Sequence, residues 1–223
     1  MTRSARLESL CGDAVTAFES ATPLSADVLL PGELHAIEHA VSKRVGEFAA
    51  GRACARAALA TLGIADFELL SAEDRTPVWP PGIVGSITHT RGFYAAAVAR
   101  DTRVLALGLD AEACNSVGVP LWRRICTPAE RQHLHTLPEP EAIQLATLTF
   151  SAKEAFYKSQ YPLTRQWLNF TDIAVRFDGG RFQIEPQRPL AIAQRLPAPW
   201  SGQWLLSGEL ALTAVCLKSG ARS

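Results

Sequence analysis

Apolar residues at Ile37, Ala40, Val41, Val45, Phe48 and Ala49 recur near helical spacing, and from Glu33 to Leu62 there is no Pro and only Gly46 and Gly51 interrupt. This pattern predicts one long helix over 33–62 with room for a bend, capped by Gly63. Upstream, Thr22-Pro23 and Pro31-Gly32 break the first ~30 residues into an irregular lead-in with room for one short helix or strand. Downstream, Thr76-Pro-Val-Trp-Pro-Pro-Gly82 is loop by composition. It precedes β-rich runs at 83–88, 93–99 and 104–110, which the breaks at Arg91-Gly92 and Asp101-Thr102 arrange as an antiparallel meander.

The second half repeats that order. Thr127-Pro128-Ala129-Glu130 is a capping box with Pro at the first helical position, and 141–160 reads as a second long helix. Strands follow near 170–177, 181–185, 204–208 and 210–217, the first two joined by the hairpin signal Asp178-Gly179-Gly180. The expected fold class is α+β: two pseudo-symmetric lobes, each a long helix packed on a short antiparallel sheet. The expected division is 1–104 and 105–223, with the active site in the cleft where the lobes meet.

Composition narrows the function classes. The chain has 223 residues, 48% of them hydrophobic, enough to bury a core without disulfide or metal staples. Its 22 Lys and Arg balance 22 Asp and Glu, which argues against coating nucleic acid through a global positive field. No apolar run approaches the ~18 residues of a membrane span, and the first ten residues lack the apolar core of a secretory signal, so a cytoplasmic location is expected. The five Cys are odd in number, scattered and without a CxxC pair, which points to ordinary buried thiols.

Candidate chemistry lies in five places. Asp110 and Glu112 flank Ala111 at the end of an apolar strand, so both carboxylates face one spot, where a hard cation such as Mg2+ relieves their repulsion. Gly108 leaves room there for close backbone approach. On the second long helix, Glu154 offers a third carboxylate and Lys153 and Lys158 offer point charges for phosphate oxygens. Glu154 and Lys158 also have the spacing of a surface ion pair. On the first long helix, Arg44, Arg52 and Arg56 share a face suited to a phosphorylated ligand or simply to solvent. Gly85, Thr88 and His89 end a strand where a hydroxyl and an imidazole can donate to phosphate. Finally, His35, Glu38 and His39 match the HxxEH order of inverted zinc peptidases.

Four segments together resemble the Sfp/EntD-type 4'-phosphopantetheinyl transferases, closest to the actinobacterial and enterobactin-associated branch. They are KRVGEFAAGRACARAAL at 43–59, PVWPPGIVGSITHTRGFYAAAVA at 77–99, GLDAE at 108–112 and FSAKEAFYK at 150–158. The resemblance implies a cytoplasmic monomeric enzyme of secondary metabolism with two pseudo-symmetric lobes, acting on neither nucleic acid nor membrane. Its reaction would move the 4'-phosphopantetheine arm of CoA to a serine of an apo acyl or peptidyl carrier protein in siderophore, polyketide or related biosynthesis. It implies Mg2+, with Mn2+ as substitute, held by Asp110, Glu112 and Glu154. Arg44, Arg52, Thr88 and His89 would grip CoA phosphates, Lys153 and Lys158 would neutralise the pyrophosphate, and Glu154 would take the serine proton. The basic residue that many members carry just before the loop Pro has Arg75 as its nearest counterpart, because Thr76 precedes Pro77. Trp122, Arg123 and Arg124 have the composition of a carrier-docking rim, or of a core Trp between solvated arginines. A CoA- or carrier-binding module without turnover, and a zinc peptidase, remain as alternatives.

Overall fold

The structure is a computed structural model that describes residues 1–196 and 198–218. The chain divides into two compact units, Met1–Leu107 and Gly108–Leu217.

The first unit begins with β1 (Thr2–Arg3), α1 (Ala5–Cys11) and β2 (Val15–Ser20), so the lead-in is ordered rather than irregular. Ser4 caps α1 by accepting from the Leu7 N–H, and Gly12, at φ 92, makes the turn into β2. The alternation that marks β2 is confined to Val15 and Ala17, too short a signal to stand out. A single helical turn, α2 (Pro31–Leu34), then runs into a 3-10 turn at His35–Ile37, before α3 (Ser42–Thr61). The expected 33–62 helix is therefore broken between 38 and 41. Ile37 and Phe48 share one apolar cluster with Leu29 and Ala49. On a continuous helix those two side chains would be ~16 Å apart along the axis, and the break folds Ile37 back onto α3.

Strands β3 (Ile83–Thr90) and β4 (Phe93–Arg100) form a hairpin that turns at Arg91-Gly92 and pairs His89 with Tyr94. The sheet order is β1-β2-β4-β3, and α3 packs on β2 and β4. Every residue of β4 from Phe93 to Ala99 is buried, so it reads as an unbroken apolar run rather than an alternation. β5 (Val104–Ala113) is not the third strand of that meander. Both sides of β4 are already taken, by β2 and β3, and β5 instead forms one edge of a five-stranded sheet.

In the second unit α4 (Trp122–Ile125), α5 (Pro128–Leu134) and α6 (Glu139–Thr164) precede β6 (Ile173–Asp178), β7 (Arg181–Pro186), β8 (Trp200–Ser207) and β9 (Leu210–Lys218). The sheet order is β5-β9-β8-β7-β6. The capping box at Thr127 and Glu130 opens α5 as expected. α6 outruns its expected end at 160, continues through Pro162 and closes on Arg165 in the left-handed region. Trp122 is buried with Ile125, Cys126 and Leu134 and donates its indole N–H to the Val117 carbonyl at 3.2 Å, so it is a core residue. Arg123 and Arg124 beside it are exposed. Among the described residues, no helix is long and apolar enough to cross a membrane, and all five cysteines are free.

Candidate active site

β5 presents Asp110 and Glu112 on one face, while Ala111 between them is buried on the other. What brings α6 against them is Gly108. A Cβ there would overlap the Ala155 carbonyl and lie 2.8 Å from the Ser159 nitrogen, so the strand and helix backbones meet only because this side chain is absent. One turn apart on α6 and each adjoining the crossing, Glu154 and Lys158 then reach the acidic strand end. The Lys158 ammonium donates to Asp110 Oδ1 at 2.6 Å and to the Leu109 carbonyl at 3.2 Å. Glu112 accepts from the Ser116 hydroxyl at 3.2 Å.

The electrostatics of this corner are those of an anionic site short of positive charge. Burial, reinforced by the charge of Asp110, pushes the Glu112 carboxyl up to about 7, with Ser116 and Lys158 opposing and Glu154 adding repulsion. Glu154 is also raised, by burial first, with Lys158 opposing and Asp110 adding. Three carboxylates thus feel one another around a single ammonium. Among the described residues no three such groups are drawn into a finished metal cage. The donor set itself suits a hard divalent cation: oxygen ligands only, and a mutual repulsion that such an ion relieves.

Lys153 behaves differently from Lys158. Its Nζ is buried and donates to Glu130 Oε2 at 2.7 Å and to the Ile125 carbonyl at 2.9 Å. Burial holds this ammonium below its usual range, against the pull of Glu130. The Lys153 charge is thus engaged by Glu130 and ties α6 to α5, while the same side chain also lines the cavity beside Glu154. Beside Glu154 lies a mostly apolar cavity of about 210 Å³, walled by Tyr157, Trp167, Leu168 and Phe170 among others.

The first unit gathers the basic residues. Arg44 lies 2.9 Å from His89 Nε2; because a guanidinium can only donate, that ring nitrogen is the acceptor. Arg52 is buried and donates from Nε to the Leu69 carbonyl at 2.8 Å and from Nη2 to the Ser71 hydroxyl at 2.9 Å. Arg56 pairs with the buried Glu33 at 2.5 Å. Thr88 is buried on β3, next to His89. A Cβ on Gly85 would strike the Trp79 ring at 2.6 Å, so its bareness seats that indole. Arg75 is exposed at the tip of a turn closed by its own N–H to the Ala72 carbonyl, with φ 65.

Residues 32–99 match the family model for the 4'-phosphopantetheinyl transferase N-terminal domain, and 106–215 match that of the 4'-phosphopantetheinyl transferase superfamily. Over 211 residues the chain is 37% identical to 4'-phosphopantetheinyl transferase Svp of Streptomyces mobaraensis, covering 92% of this chain and 85% of that one. The chain belongs to the 4'-phosphopantetheinyl transferases. It is also 37% identical to 4'-phosphopantetheinyl transferase PptT of Mycobacterium tuberculosis over 199 residues, covering 84% of this chain and 86% of that one. The likeness extends to Enterobactin synthase component D of Escherichia coli at 35% over 144 residues, 64% of this chain and 67% of that one.

For this transferase the zinc-peptidase alternative fails on geometry. HxxEH requires one α-helix to set its two histidines a turn apart, whereas His35 is in a 3-10 turn and the chain leaves helix before His39. His35 is 90% exposed in its side chain and merely lies 3.5 Å from Glu38. The residues that escaped sequence inspection are the supporting ones. Glu130 showed only as a cap and Tyr157 only as part of a motif, while Glu33 and Trp167 carried no local signal at all.

Proposed function

We propose that the protein transfers the 4'-phosphopantetheine arm of CoA to a serine hydroxyl of an apo acyl or peptidyl carrier protein, releasing adenosine 3',5'-bisphosphate. The observation that carries this, in a chain of this family, is the convergence of Asp110, Glu112, Glu154 and Lys158 at the Gly108 crossing.

The serine oxygen forms a bond to the phosphorus on the pantetheine side of the pyrophosphate, and the bond from that phosphorus to the bridging oxygen breaks. Adenosine 3',5'-bisphosphate leaves with the bond electrons, and the serine proton goes to Glu154 Oε. In the metal-free protein, burial raises the affinity of that carboxylate for a proton. Lys158 Nζ faces the charge that grows on the departing phosphate. Asp110, Glu112 and Glu154 would hold Mg2+ or Mn2+, which supplies charge neutralisation for the pyrophosphate. Arg44, Arg52, Thr88 and His89 bind the phosphates of the adenosine half, with the 3'-phosphate foremost. The apolar cavity beside Glu154 takes the pantetheine chain and keeps water from the reacting phosphorus. Lys153, with its ammonium on Glu130, supports this wall instead of binding phosphate.

The test is release of adenosine 3',5'-bisphosphate from CoA, followed by chromatography. Release that needs both an apo carrier and divalent metal, and stops on chelation, is expected. Release without a carrier would replace transfer by hydrolysis.

A further inference from the structure

Glu33 is fully buried in the first unit, yet nothing in the transfer chemistry uses it. Its Oε1 accepts from the Leu69 N–H at 3.1 Å, and its Oε2 accepts from the Leu30 N–H at 3.0 Å and from Arg56 at 2.5 Å. A buried carboxylate with three donors is a fixed point. Leu69, held by its N–H, turns its carbonyl to Arg52 Nε at 2.8 Å. Two residues on, the Ser71 hydroxyl accepts from Arg52 Nη2 at 2.9 Å, and the Phe48 ring lies under the guanidinium, 4.2 Å from its centroid to Cζ.

Arg52 is thus held along one edge and across one face, with two of its five N–H donors engaged among the described residues. Burial lowers its pKa to about 10, with Glu33 opposing and Arg44 and Arg56 adding repulsion, so it is a cation at neutral pH in a neighbourhood that favours an anion. An unrestrained arginine would have to give up rotamer freedom on meeting such a ligand; this one has already done so.

We propose that Glu33 and Ser71 are positioning residues for Arg52: through Leu69 and directly, they fix its guanidinium so that the remaining donors meet the 3'-phosphate of CoA. This rests on the proposed role of Arg44, His89 and Arg52 in binding that phosphate. The competing role is purely structural, with the Glu33–Arg56 pair fastening α2 to α3.

The two are separated by calorimetric dissociation constants for adenosine 3',5'-bisphosphate and adenosine 5'-monophosphate, without metal. They are measured on the parent, Glu33→Gln, Ser71→Ala and the reference Arg44→Ala, beside melting temperatures. Glu33→Gln and Ser71→Ala are each expected to lower the preference for the bisphosphate roughly 3- to 10-fold while leaving monophosphate affinity in place. Ser71→Ala alters only a loop hydroxyl and carries the test alone if Glu33→Gln does not fold. A purely structural role lowers the melting temperature of Glu33→Gln and leaves the preference at the parent value in both variants, which overturns the proposal. If Arg44→Ala shifts the preference and the other two do not, positioning is refuted while phosphate binding stands. If none of the three shifts it, both are refuted.

Discussion

Asp110, Glu112 and Glu154 differ in how they are held. Asp110 is paired with Lys158, Glu112 leans on Ser116, and Glu154 takes its raised pKa chiefly from burial. Alanine at any one of them removes charge complementarity that matters most when the leaving phosphate gains charge, so turnover is expected to fall at least ~100-fold. Steady-state kinetics with circular dichroism of each variant checks this; near-parent turnover would take that residue out of the site. The raised Glu112 carboxyl has a second consequence, for the metal-free protein. Below its ordinary value of 4.5 the group is protonated in both folded and unfolded chains and contributes nothing to the pH dependence. From there up to about 7 the folded chain keeps a proton that the unfolded chain has released, so stability falls as pH rises through this window and levels off above it. Glu112→Gln is expected to flatten that fall, read as urea midpoints at pH ~5 and ~8 with chelator present. An unchanged slope would show that Glu112 titrates as in water.

At the scale of elements, the second unit depends on how α6 is fastened to its neighbours. Lys153 donates to Glu130, which also accepts from the Thr127 N–H at 2.6 Å and from the Val175 N–H at 2.7 Å. One ion pair therefore joins α6, the start of α5 and β6. Lys153→Ala leaves a carboxylate without its cation in a mostly buried position, and a loss of ~3–5 kcal/mol in chemical denaturation is expected. A loss within ~0.5 kcal/mol would mean that Glu130 finds water. These contacts also show how much could be read from sequence. The acidic pair of β5 and the acidic and basic residues of α6 were legible because strand alternation and helical spacing are local rules. The antiparallel hairpins at Arg91-Gly92 and Asp178-Gly179 were legible for the same reason. The sheet that β5 joins was not, since that depends on β2 having already taken the free side of β4. Nor was the difference between Lys153 and Lys158, five residues apart in one motif, because it is set by what packs against each face of α6.

For the whole molecule, balanced charge leaves no long-range field to gather partners, so recognition must be built locally. The two units do this with opposite chemistries: the first collects arginines and a histidine around β3 and α3, the second collects carboxylates where β5 meets α6 and has a mostly apolar cavity between α6 and residues 167–173. CoA carries the matching features in one molecule, with phosphates on its adenosine half and an extended, largely neutral arm. In the proposed reaction this arm moves intact to a carrier serine. This transfer is tested most directly by the intact mass of apo acyl and peptidyl carrier proteins after incubation with the enzyme, CoA and Mg2+. At least one carrier is expected to gain the mass of a single phosphopantetheine, and its serine-to-alanine variant to gain none. A panel of folded apo carriers left wholly unmodified, by an enzyme that binds CoA, would contradict it.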